Sequence, residues 1–85
     1  MSVYVDDMQA SFGRMIMCHM VADTLEELHA MAARLGLRRE WFQDDSDHPH
    51  YDVSLGKRGR AVQLGAVQIT TRQLAMMMRE RRRAQ

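Results

Sequence analysis

Met15-Ile16-Met17-Cys18-His19-Met20-Val21 is the run that decides the fold. It is too short for a membrane span, and its flanks, Gly13-Arg14 and Asp23-Thr24, favour strand over helix. As a strand it sends Met15, Met17 and His19 to one face and Ile16, Cys18 and Met20 to the other. Both faces are then apolar, so its expected place is the centre of a sheet.

Working outward, Asp23-Thr24-Leu25-Glu26-Glu27 opens a helix. Either Asp23 with Glu26 or Thr24 with Glu27 supplies a cap and its reciprocal acid. Leu25, Leu28, Ala32 and Leu35 recur at helical spacing and Gly36 is placed to end it, giving a helix over 24–35. Upstream, Val3-Tyr4-Val5 reads as a short strand stopped by Asp6-Asp7, with a loop through Gly13-Arg14. Downstream, Arg38 to Gln43 reads as a strand and Asp44 to His48 as an acidic loop. His50-Tyr51-Asp52-Val53 reads as a further strand behind the single proline, Pro49. Ser54 caps a helix over 55–64 that closes at Gly65. Val67-Gln68-Ile69 is the last strand, and Thr70 with Gln73 fits a capping box for a final helix.

The order β-β-α-β-β-α-β-α contains two strand–helix–strand units. It implies an α/β or α+β domain: a small mixed, partly parallel sheet of about four or five short strands, with three helices. Eighty-five residues make one domain, 1–85, with fraying expected at the Arg-rich end, about 79–85. A chain this small buries only roughly 60–65% of its unfolded surface, so a homodimer would help it. Twelve basic and eleven acidic residues nearly cancel, so bulk charge does not mark a nucleic-acid binder. One cysteine rules out an internal disulfide and a Cys-rich zinc site, and implies a reducing, cytoplasmic setting. No signal peptide or membrane segment is expected. Nine methionines suit an irregular core or an adaptable protein-binding surface.

The polar residues that carry chemistry are Asp6, Asp7, His19, Asp23, His50, Asp52 and Arg58, each near a strand end or a helix start. If their strands run the same way, loops at the carboxyl ends bring them to one rim. Such a rim suits a phosphate-bearing ligand, or a divalent metal held by carboxylates and imidazoles. Asp6, His19, Asp23, His50, Asp52 and Arg58 are the ligand-binding candidates. His19, His50 and Asp52 are the catalytic candidates, and Asp6, His50 and Asp52 the metal candidates. Each has a plainer role: Asp23 a helix cap, Asp6 and Asp7 a strand end, His19 a core histidine, Asp52 with Arg58 an ion pair. His48-Pro49-His50 looks like a fragment of a metal site but is too short to define one. The Arg-rich end offers a basic face for phosphates, or simply a solvated helix end.

Val3-Tyr4-Val5-Asp6-Asp7, then His19, Ala22-Asp23-Thr24 and Glu27-Leu28-His29, then His50-Tyr51-Asp52 and Leu64-Gly65-Ala66, resemble a small family of bacterial and phage proteins classed as a domain of unknown function. The resemblance covers roughly residues 3–69, leaves the Arg-rich end outside, and implies no reaction. It implies a cytoplasmic, phage-associated domain and points to Asp6, His19, Asp23, His50 and Asp52. The expected function is a binding module for a phosphate-bearing ligand, nucleotide or nucleic acid, with Arg58 neutralising the anion. The alternatives are a metal-dependent hydrolase or phosphoesterase on the same residues, and a protein–protein interaction module.

Overall fold

Strand β3, Met15–Ala22, is the axis of the sheet in the computed structural model, which describes residues 2–8, 10–12, 15–44 and 48–84. Strands β1 (Val3–Val5) and β2 (Ala10–Phe12) lie end to end along one side of it, both antiparallel to it. Strand β4 (Tyr51–Ser54) runs antiparallel along its other side, with Met17 opposite Ser54 and Met20 opposite Tyr51. Strand β5 (Val67–Gln68) joins the outer edge of β1 and makes the one parallel pairing among the described residues. Among the described residues the fold is thus a small mixed sheet with three helices.

Val5 faces Met20 while Ala10 faces Met17, so the β1–β2 side holds two residues more than β3 between those pairs. That surplus is a bulge beginning at Asp6. Bulges interrupt a ladder and re-aim side chains, and this one sits beside His19.

Alternation along β3 feeds two cores. Cys18, Met20 and Ala22 pack with Val3, Val5, Tyr51 and Val53 under helices α1 (Leu25–Arg34) and α2 (Leu55–Gln63). Val21 points to the opposite face and packs with Leu74 and Met78 of α3 (Thr71–Arg83). The layers are therefore two helices, the sheet, and one helix. Met20, Met31 and Met78 are buried, so part of the methionine content is core filler.

The helix ends follow local chemistry. Thr24 caps α1, accepting from the Glu27 N–H at 3.2 Å, and Leu28, Met31 and Ala32 form the buried stripe. Leu25, placed on that stripe by its spacing, is exposed instead. Gly36 at φ 76° and Gly65 at φ 109° supply the left-handed residue that ends α1 and α2. After them the Leu37 N–H reaches the Ala32 carbonyl and the Ala66 N–H the Ala61 carbonyl, both at 2.9 Å. Thr70 and Gln73 form the expected capping box on α3. No described helix is long and apolar enough to cross a membrane.

Three local expectations change. Arg38 to Gln43 is not a strand: Arg39–Trp41 is a single 3₁₀ turn, and only Gln43 pairs with the sheet, as an isolated bridge to His50. Phe42 alone of the segment packs against the core; Arg38, Arg39 and Glu40 are all exposed and Trp41 is half exposed, with Arg38 against its ring, so there is no alternating apolar face to hold a strand. Residues 10–12 are strand and not loop; Gly13-Arg14 lies outside the described residues. Asp45 to Asp47 of the acidic loop also lie outside them. Asp23 does not cap α1, because Thr24 does, and its carboxylate turns back to the start of the chain.

Candidate functional site

The site is a row of side chains across three strands. His19 lies directly opposite Asp52 of β4, and on its other side the ladder continues one step past β1 to Asp6, whose N–H donates to the His19 carbonyl at 3.1 Å. Residues opposite one another share a face, so Asp6, His19 and Asp52 all point to the α3 side. Two residues from Asp52 on the same strand face is His50, which is buried.

The bulge decides what Asp6 does. Past Asp6 the chain leaves the ladder, and Asp6 Oδ1 takes the His19 backbone N–H at 2.7 Å. Its Oδ2 lies 2.8 Å from His19 Nδ1. The carboxylate is fully buried, which by itself raises its pKa. The two hydrogen bonds from His19, the charge of that ring and the Met8 N–H outweigh burial and hold it below the ordinary carboxylate range. The same contact from Asp6 raises the His19 pKa; burial opposes this, and the charges of Asp6 and Asp52 assist.

With Nδ1–H committed to Asp6, the neutral His19 ring presents Nε2 as a lone pair. His50 is oriented in the same way. Its Nδ1 lies 2.9 Å from the His48 backbone oxygen. A carbonyl only accepts, so Nδ1 donates and Nε2 is left facing Asp52 Oδ1 at 3.4 Å. Asp52 is fixed by its second oxygen, which accepts from Gln43 Nε2 at 2.6 Å. The His19 and His50 rings meet edge to face at 5.1 Å, and His48 stacks on His50 at 5.0 Å. One ligand atom from each of His19, His50 and Asp52 falls within 4.8 Å of the others. Asp6 does not join that set, since both its oxygens are turned to His19. It stands behind the ring, where carboxylates that support metal-binding histidines are found.

A cleft of about 300 Å³ opens beside this row. His19 and His48 line one wall, and Thr71, Leu74, Met78 and Arg82 of α3 line the other. The bulge also places that helix: Asp7 Oδ1 accepts from the Thr71 N–H at 2.9 Å and from its hydroxyl at 3.1 Å. Neighbouring aspartates thus hold the two walls, Asp6 the histidine and Asp7 the helix.

Two candidates lie elsewhere. Arg58, on α2, donates through Nε to the Asp6 carbonyl at 2.7 Å and through Nη1 to Gln68 at 3.2 Å, and it does not line the cleft. It fixes the bulge backbone from behind. Asp23 follows the far end of β3, four residues and about 13 Å of strand beyond His19. There it accepts from the Ser2 N–H at 2.7 Å and the Tyr4 hydroxyl at 3.0 Å. The parallel-rim expectation fails for this reason. Strands β1, β3 and β4 are antiparallel neighbours, so their ends alternate and only groups in register meet. Sequence reasoning missed Gln43 and Thr71 as site residues, since their roles depend on contacts distant in sequence and no local pattern marks them. Arg82 belongs to the Arg-rich end read as a basic face for phosphates, but nothing local separates it from its neighbours as the arginine that lines the cleft.

No curated protein and no solved structure matches the chain. A family model does, over residues 3–81, a match that extends past the resemblance read from sequence and takes in most of α3. The chain belongs to the family described as protein of unknown function (DUF4031).

Proposed function

We propose that this protein is a metal-dependent hydrolase whose divalent cation is held by His19, His50 and Asp52. One observation carries the reading: one donor atom from each of three side chains within 4.8 Å, with Nδ1 of both rings already committed to a carboxylate or a carbonyl and Nε2 left for a ligand. Preset tautomers of this kind are what metal-binding histidines have. His50 Nε2 and Asp52 Oδ1 already stand 3.4 Å apart, the spacing two ligands of one cation need. Donors about 2.1 Å from a tetrahedral zinc stand roughly 3.4 Å apart, so the set needs to close by at most about 1.4 Å.

Two imidazoles and a carboxylate suit zinc, iron(II) or manganese. Three protein ligands leave a position for water, and a bound cation lowers the pKa of that water towards neutrality. His48, on the cleft wall and stacked on His50, is the nearby base for its proton. A simple binding module with Arg58 neutralising the anion is less well supported, because two of the three Arg58 nitrogens serve Asp6 and Gln68. A cytoplasmic setting fits Cys18, a buried free thiol, and phage association follows the family resemblance.

Calorimetric titration with Zn²⁺ or Co²⁺ tests the reading, followed by assay of the loaded protein on chromogenic esters. The expected result is one ion per chain, affinity lowered at least about a hundredfold in His50→Ala, and an activity that chelation removes. Unchanged affinity in folded His19→Ala and His50→Ala, or activity indifferent to chelation, overturns it.

A further inference from the structure

We infer that the cleft takes a phosphoester and that Arg82, not Arg58, holds its phosphate. Where the scissile bond lies rests on the metal-centre reading; the anion contact does not. The first observation is position. Arg82 lines the cleft from α3, opposite His19 and His48, so a ligand between the walls meets a guanidinium on one side and, on the other, His48 and His19, the one proposed metal ligand that borders the cavity.

The second is charge. Helix α3 carries five arginines and one glutamate, a charge of +4, against +1 for the whole chain, so the remaining residues sum to −3. The near-neutral total hides a cationic helix, which reaches the cleft through Arg82. Of these arginines, Arg81 is turned to the Ala22 carbonyl at 2.7 Å and Arg83 to Glu80 at 3.7 Å. Arg82 is the one that borders the cavity. It also has an interaction within the protein, and five N–H donors let a guanidinium keep one partner while it binds phosphate through two others.

The third is the shape of the remainder. Leu74, Ala75 and Met78 give the α3 wall an apolar strip between Thr71 and Arg82, and His48 presents a ring on the other side. A cleft of about 300 Å³ is at the small end of ligand sites. The ligand is therefore a small phosphoester with a flat, weakly polar body, such as an aryl or nucleoside ester. In its hydrolysis a water oxygen bonds to phosphorus and the phosphorus–oxygen bond to the leaving group breaks. The proton lost by the water passes to the leaving oxygen, and nothing is oxidised or reduced.

The test is calorimetric titration of the full chain with phenyl phosphate, diphenyl phosphate and phenol, first metal-free and then loaded with Co²⁺. The expected result is binding of at least one phosphate ester and none of phenol. Arg82→Ala weakens ester binding by at least about tenfold, Arg82→Lys weakens it less, and Arg79→Ala, at a position that does not line the cleft, leaves it unchanged. Circular dichroism confirms that each variant is folded. Monoester preference identifies a terminal phosphate and diester preference an internal one; either supports the inference. Equal binding by wild type and Arg82→Ala, or equal loss in Arg79→Ala, overturns it. Failure to bind Co²⁺ with Arg82-dependent ester binding intact overturns the metal reading and leaves this one standing.

Discussion

The Asp6 carboxylate is joined to His19 twice, through the His19 backbone N–H at 2.7 Å and the ring Nδ1 at 2.8 Å. The carboxylate replaces the carbonyl that the bulge takes out of the ladder, and the same side chain sets the tautomer of the ring. Removing it leaves a buried N–H without its acceptor and a ring without its anchor. Asp6→Ala is expected to cost about 3 kcal/mol, a fall in Tm of about 12 °C or more in a domain of this size. Urea denaturation of the metal-free protein measures it. A loss below about 1 kcal/mol contradicts the structural role.

The same pair gives the metal-free protein a pH signature. The Asp6 pKa is lowered in the fold, so its contribution is present above the ordinary value near 3.8 and is lost as pH falls through the lowered value. The His19 pKa is raised, so its contribution is full below 6.5 and is lost as pH rises through the raised value. The pair therefore stabilises most between those two ordinary values. His29 works in the other direction, because burial and then Arg39 lower its pKa. Its contribution is present above 6.5 and lost as pH falls. Comparing wild type with Asp6→Asn at each pH, with EDTA present, cancels His29. The stability difference is expected to shrink as pH rises above 6.5, and a constant difference contradicts the assignment.

Asp7 anchors the helix that walls the cleft. Asp7→Ala removes both contacts to Thr71 and is expected to cost about 1 kcal/mol, the usual worth of a helix cap. The loss should be local. Hydrogen exchange at the start of α3 is expected to quicken while Met20 and Val53, in the main core, keep their protection. Uniform loss across the domain contradicts it.

The glycines separate by conformation. An added Cβ at Gly59, inside α2, meets nothing within 4 Å, so Gly59→Ala is expected to stabilise by about 0.5–1 kcal/mol. Gly36, at φ 76°, ends α1 in the left-handed region, and Gly36→Ala is expected to destabilise by about 1 kcal/mol. Thermal denaturation of the two variants reads the opposite signs directly. Shifts of the same sign contradict the argument.

What the sequence made legible was local. Thr24, Ser54 and Thr70 cap the helices that their spacing announced, and Gly36 and Gly65 end two of them. The β3 run is the central strand because alternation feeds apolar residues to both of its faces. Register was not legible. Nothing near Asp6 shows that a two-residue surplus swings its carboxylate onto His19, and nothing near Asp23 shows that its partner is the Ser2 N–H. The charge of Arg58 does not say which face of α2 it leaves or that the Asp6 carbonyl is within reach. The strand read into Arg38 to Gln43 failed for lack of a partner; only Gln43 finds one, and that single bridge carries its amide to Asp52.

The central claim is the metal centre, and the most direct measurement is the anomalous difference map of crystals grown with Zn²⁺. The account predicts one strong peak on the α3 face of the sheet, about 2.0–2.2 Å from His19 Nε2, His50 Nε2 and an Asp52 oxygen, with Asp6 still behind His19. A zinc bound instead at His29, or no peak between His19, His50 and Asp52 at saturating metal, contradicts it.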